Sequence, residues 1–240
     1  MEQTAGRLVI YIDPRYDVPC LLTVKGGKGC RLDTLETYTE ENSASPEVLA
    51  RVVKEVQKRY PASSYGLVLW SHGLGWVPPE YSFPGGYAMR LPDPDMPRTK
   101  YYAEDEHPGT TGKAYMDIRE MAARLPGHFS FILWDVCFMG GIEVAYELRN
   151  KTDYMIASPA EVISDGFPYE KMMPLLWGGE EAMKQICREY YNHYNKYQVN
   201  SLWRSAVVGL VKTEELEPLV AKVRTLLAGK TDYVRAWHYP

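Results

Sequence analysis

Read for its apolar and polar positions, the chain alternates short continuous apolar runs with segments of helical period. Gly66 to Trp70, Phe129 to Trp134 and Tyr154 to Ala157 have the length and composition of buried strands, and Leu8 to Ile12 and Ala206 to Val211 read as further strands. Cys20 to Val24 reads as a short edge strand before a Gly26-Gly27-Lys28-Gly29 turn. That glycine cluster lacks the spacing and following helix of a phosphate loop, so it predicts a hairpin-like turn. Ser45-Pro46-Glu47 carries three helix-start signals: an N-cap, a first-turn proline and an acid near the positive end. Leu49, Val52, Val53, Val56 and Tyr60 form its apolar face, and Pro61 stops it. Asp117 caps a short helix through Ile118, Met121, Ala122 and Leu125, and Ile142, Ala145 and Leu148 mark another. Glu180 to Tyr194 turns Met183, Ile186, Cys187, Tyr190 and Tyr194 inward as packing residues. Thr213 caps a last helix with Leu219, Val223, Leu226 and Leu227 on its apolar side. Strands alternating with helices predict an α/β fold, a three-layer α/β/α sandwich with a mostly parallel central sheet, in a single domain spanning 1–240. The stretch Trp76 to Thr111 is rich in Pro, Gly, Tyr and charge and shows no period, which predicts a long loop.

Composition narrows the classes. A chain of 240 residues with 45% hydrophobic content can bury a large core in one domain. Its formal charge of −4 gives no electrostatic case for nucleic acid or an anionic membrane surface. No run approaches the roughly 18 apolar residues that span a bilayer. Cys20, Cys30, Cys137 and Cys187 contain no CxxC pair, so no zinc site is expected, and neither a metal nor a cofactor is predicted. A Cys20–Cys30 disulfide is compatible with the sequence but not specified by it. The first residues, Met1-Glu2-Gln3-Thr4-Ala5-Gly6, lack the charged and apolar regions of a signal peptide. The chain therefore reads either as cytosolic or as a mature region with its leader removed.

The candidate chemistry lies in Phe129 to Leu148, FSFILWDVCFMGGIEVAYEL. A buried strand runs into Asp135-Val136-Cys137, then two glycines, then a helix. Ligands and reactive groups collect at this carboxyl edge in open α/β sheets, and a following helix N-terminus favours a thiolate. A lone cysteine is more often a small core residue, and that reading of Cys137 stands beside the reactive one. The second segment, Tyr65 to Trp76, repeats the plan: strand, then Ser71-His72-Gly73. If both strands share a parallel sheet, neighbours about 5 Å apart bring His72 and Cys137 to one edge as base and nucleophile. A histidine satisfied by a backbone carbonyl is the alternative for His72 alone.

SHG after one strand and DVCFMGGIEVAYEL after another resemble the clostripain family of cysteine peptidases, in the group that holds caspases, legumains and gingipains. Asp153 to Glu161 and then Gly166-Phe167-Pro168-Tyr169 resemble the strand and loop that follow the family's cysteine. The resemblance implies a caspase-like fold and a Cys–His dyad of Cys137 and His72 acting as an endopeptidase. It also implies preference for Arg or Lys before the cleaved bond; backbone N–H groups of Gly73 and Cys137 are the expected oxyanion donors, because glycine lets the backbone approach the substrate closely. The family's acidic pocket residues fall at Asp135 and Asp165, with Ser158 in the substrate-binding strand-end; the expected partner is a peptide or protein substrate. Asp135 as a turn-tying carboxylate and Asp165 as an ordinary turn residue before Gly166 are the competing readings. The resemblance further implies export (secreted, periplasmic or cell-surface) and a preceding strand–helix unit outside this chain. Some members cut themselves between the dyad residues, where this chain carries Arg90, Arg98 and Lys100. A non-catalytic relative that binds peptide or glycan is the alternative function.

Overall fold

The computed structural model describes residues 6–25, 31–73, 75, 103, 105, 116–196 and 204–229. Two sheets are present among them. Strands β1 (Val9–Ile12), β2 (Cys20–Lys25) and β3 (Arg31–Thr37) form an antiparallel sheet in that order, with Val9 opposite Thr23 and Lys25 opposite Arg31. Cys20 to Val24, expected at an edge, is thus the middle strand. The missed partner is β3, whose sequence RLDTLET is mostly exposed and so carries no buried-strand signal.

Helix α1 (Pro46–Arg59) begins as its sequence dictates: Ser45 Oγ accepts from the N–H groups of Glu47 and Val48, and Tyr60 closes the helix before Pro61. It is tied to β3 by Arg59, which donates to Leu35 O (3.0 Å) and Glu36 (3.1 Å). The second sheet has the order β4 (Gly66–Trp70), β5 (Phe129–Asp135), β6 (Thr152–Ala157), β7 (Gly209–Lys212). The first three strands are parallel and β7 runs antiparallel at the far side, with Ala157 opposite Gly209. Helices α2 (Ile118–Arg124) and α3 (Ile142–Leu148) connect β4 to β5 and β5 to β6; after β6 come α4 (Tyr169–Met172) and α5 (Glu180–Asn195), and α6 (Leu216–Leu227) follows β7.

The alternation along β5 builds the sandwich. Ile132 and Trp134 pack with Val53, Met121, Val144 and Leu148 of α1, α2 and α3 and with Leu125 just past α2. Phe131 and Leu133 pack with Met172, Met183, Ile186, Tyr190 and Tyr194 of α4 and α5. A strand buried on both faces between two helix layers is the mostly parallel three-layer arrangement that the sequence pattern predicts. Gly66 on β4 makes room for it, since a Cβ there would meet the Phe131 ring at 2.2 Å.

Three expected helix faces differ in detail. On α3, Val144 joins Ala145 and Leu148 in the core while Ile142 is exposed, because the helix turns its start outward. On α5, Cys187 is only half-buried. Thr213 does not cap α6: its hydroxyl donates to Thr152 O and Asp153 O, a 3-10 turn intervenes, and Leu216 is the buried anchor. Leu219, Val223, Leu226 and Leu227 are exposed. Cys20, Cys137 and Cys187 are free thiols, and Cys30 lies outside the described residues. The glycine turn after β2, Arg90, Arg98, Lys100 and nearly all of the long loop lie outside the described residues.

Candidate active site

The parallel register between β4 and β5 sets Trp70 opposite Asp135. His72 and Cys137 each stand two residues past those paired positions, at the carboxyl ends of adjacent strands. Phe131 and Leu133 of β5 and Val68 of β4 pack on the α4–α5 side of the sheet, and Asp135 meets Phe167 and Tyr169. His72 is half-buried and Gly73 buried.

Cys137 is fully buried, not exposed as a nucleophile at a strand end suggests. Its Sγ accepts the Val162 N–H at 3.2 Å and lies 3.8 Å from Val162 O. The turn after it is fastened to the segment following β6: Phe138 N–H donates to Ala160 O (2.9 Å) and Gly140 N–H to Ser158 O (2.7 Å). Phe138 has φ +61°, a left-handed conformation costly for an aromatic residue and concentrated at functional sites. The histidine loop leans on the same turn. Gly75, at φ +70°, would place a Cβ 2.6 Å from the Phe138 carbonyl oxygen, so only glycine fits there.

Asp135 is fully buried, and its Oδ2 accepts from Tyr169 Oη (2.9 Å) and Phe167 N–H (3.4 Å). Burial first, and then the Asp135 charge, push the Tyr169 phenol far above its ordinary pKa, so it remains a donor. Asp165 is exposed in the turn that precedes Gly166, where Gly166 N–H donates to Ile163 O at 2.7 Å and φ is +67°. Ser158 is buried, with Oγ accepting the Ala160 N–H at 3.1 Å. The structure therefore puts Asp135, Ser158, Cys137 and the Val162–Tyr169 segment into one hydrogen-bonded assembly. Tyr169 and Val162 are members of it that sequence reasoning missed, and Tyr190 packs against its Phe167 ring at 4.4 Å. The Tyr190 hydroxyl is buried with no hydrogen-bond partner, and burial, then the charges of Asp135 and Cys137, raise its pKa.

One trio among the described residues could hold a cation. Carboxylate oxygens of Asp13, Glu40 and Asp105 lie within 4.8 Å of one another, and Asp105 also accepts the Ser43 N–H at 2.9 Å. Acidic groups of this kind are common without an ion, and no function is assigned to them. Among the described residues no helix is long and apolar enough to cross a membrane.

Comparison with known proteins bears on the family and the fold. Clostripain of Hathewaya histolytica is 28% identical over 158 residues, covering 62% of this chain and 27% of clostripain. The crystal structure of a secreted C11 cysteine protease from Bacteroides thetaiotaomicron with an irreversible peptide inhibitor is 32% identical, with a TM-score of 0.74, and the match covers 92% of this chain and 60% of that one. An inactive zymogen C11 protease from Parabacteroides distasonis is 36% identical, with a TM-score of 0.72 over 92% of this chain and 56% of its own. The chain thus spans about a quarter of clostripain and somewhat under two thirds of the two solved relatives. The profile of the clostripain family matches residues 1–232, and the chain belongs to that family.

Proposed function

We propose that this chain is a cysteine endopeptidase that cuts after Arg or Lys. The observation that carries the reading is the β4–β5 register, which brings His72 and Cys137 to equivalent positions past adjacent strand ends. Cys137 attacks the scissile carbonyl as a thiolate, forming a C–S bond. His72 takes the thiol proton and returns it to the leaving amine; a water, deprotonated by His72, then hydrolyses the acyl-enzyme. Backbone N–H groups of Gly73 and Cys137 meet the oxyanion. The Phe138 N–H is already engaged with Ala160 O, which leaves it out of that role. Asp135 and Asp165 receive the substrate cation, and Ser158 closes the same strand-end. Because the thiol is buried against Val162, it has to be uncovered before a carbonyl reaches it. The relative solved with an irreversible peptide inhibitor supports covalent peptide chemistry at this fold, and its description as secreted supports export.

The buried thiol is the observation that favours the alternative, a non-catalytic relative that binds peptide or glycan. A covalent peptide probe ending in Arg separates the two. Labelling of Cys137, lost in Cys137→Ala, is expected; an intact chain that never reacts overturns the peptidase reading. Asp135→Asn or Asp165→Asn should lower kcat/KM for Arg and Lys peptides roughly ten- to a hundredfold, the scale of a charge-assisted contact. Equal cleavage of Arg and Leu peptides by the unmodified chain overturns the specificity.

A further inference from the structure

The proposed cation pocket is supported by a device that sequence patterns do not show. Asp135 is buried in the sheet's carboxyl edge, and two donors from one short stretch converge on its Oδ2: the Phe167 N–H and the Tyr169 hydroxyl. Two bonds to one oxygen hold that oxygen in place from two directions.

The stretch that supplies them is itself held. Pro168 stiffens the chain between the two donors, and its carbonyl accepts from Lys171 N–H (2.9 Å) and Met172 N–H (3.1 Å). The Phe167 ring packs against Tyr190 with centroids 4.4 Å apart. Tyr194 Oη donates to Gly166 O at 2.6 Å in a buried bond. Tyr190 and Tyr194 stand one helical turn apart on α5 and pack edge to face at 5.1 Å. An anchored helix thus holds a rigid turn, and the turn holds the carboxylate.

We propose that Tyr169 is a positioning residue for recognition of the substrate's cationic side chain, acting through Asp135. Resting on the peptidase reading above, this deepens it: the hydroxyl holds the Asp135 carboxyl oxygen in place, so that an arriving guanidinium or ammonium meets a fixed acceptor. The same bond read as a cover over Asp135 makes the opposite forecast, because removing a cover helps the substrate.

Tyr169→Phe removes the hydroxyl and keeps the ring. The test uses two peptides that differ only in the residue before the scissile bond, arginine or its neutral isostere citrulline. For Tyr169→Phe we expect kcat/KM for the arginine peptide to fall roughly tenfold, mainly through KM, the size of one lost charge-assisted hydrogen bond. The citrulline peptide should stay within about twofold, since it makes no demand on a fixed anion. The arginine-to-citrulline ratio is read within one preparation, so a partly unfolded variant does not distort it. An unchanged ratio overturns the inference, whether both peptides are unaffected or both fall together. A rise for arginine also overturns it and marks Tyr169 as a cover. These outcomes leave the peptidase reading standing; an unmodified chain that does not distinguish arginine from citrulline refutes the cation pocket itself.

Discussion

Gly140 lies three residues past Cys137, where the turn after β5 touches the segment after β6. A Cβ at this position would lie 2.6 Å from Pro159 N, 2.7 Å from Ser158 C and 3.0 Å from Ser158 O. All three are backbone atoms that cannot rotate away. Restoring ordinary contact, which begins at 3.4 Å, requires the two segments to part by about 0.8 Å. The Gly140 N–H bond to Ser158 O, now 2.7 Å, would stretch to the limit of a hydrogen bond. Overpacking of this kind costs about 1–3 kcal/mol, and the lost bond about 1 kcal/mol more. Gly140→Ala should therefore destabilise the fold by about 2–4 kcal/mol, a fall in Tm on the order of 10 °C for a domain of this size. The Val162 N–H that holds the thiol lies on the displaced segment, so geometry at Cys137 should suffer as well, with labelling by an arginine probe slowed by roughly a hundredfold. Thermal unfolding followed by circular dichroism and labelling followed by mass spectrometry measure the two effects. Gly209→Ala is the control: its nearest atom is Ala157 O at 3.9 Å, and it should change stability by under about 1 kcal/mol. If Gly140→Ala melted within about 2 °C of the unmodified chain and labelled at the same rate, the idea of a tight seam beside Cys137 would be wrong.

Other outcomes follow from single groups. Asp117 caps α2 by accepting from the N–H groups of Arg119 and Glu120, so Asp117→Ala should cost about 1 kcal/mol in denaturant unfolding. Bonding to Arg119 lowers the Asp117 pKa despite partial burial; its contribution is present above the ordinary value near 4 and is lost as acid titrates below it, which the alanine variant should not show. Burial, then the bond to Glu55, pushes the Tyr38 phenol up to about 12. Its contribution is complete below the ordinary value of about 10 and disappears as pH rises through 12, so Tyr38→Phe should flatten alkaline unfolding over that window. Burial raises the Cys187 thiol to about 11, so iodoacetamide at pH 8 should modify it at least about tenfold more slowly in the folded chain than in denaturant, as peptide mapping would reveal.

Much of the fold was legible because its strands are buried on both faces, and a continuous apolar run as short as Phe129 to Trp134, bounded by polar residues and glycine, fits little but a buried strand. Gly66 to Trp70 fell on β4 to the residue, and Ser45 and Asp117 cap the helices whose starts they mark. The weak points share a cause. Strand β3 alternates charge with leucine on an exposed surface, and α6 leaves Leu219, Val223, Leu226 and Leu227 exposed, so polarity hid one element and apolarity misplaced the face of another. At the site, strand ends located His72, Asp135 and Cys137, because edge position follows from local pattern. Burial does not: nothing in DVC tells that the thiol sits against Val162 or that the carboxylate is bonded to Tyr169, contacts that span 25 and 34 residues. Such long-range partners are set by how loops cross, which period and propensity do not encode.

The stretch from Val162 to Tyr169 touches the Cys137 thiol at one end and the Asp135 carboxylate at the other. For inhibitor chemistry this links two parameters usually tuned apart. A recognition group that reaches Asp135 pushes on Phe167 and Tyr169, and through eight residues of chain on the N–H that restrains the thiol. In a series of covalent peptides sharing one warhead, the rate of bond formation should therefore track the strength of initial binding, and optimisation of the basic side chain alone should alter both.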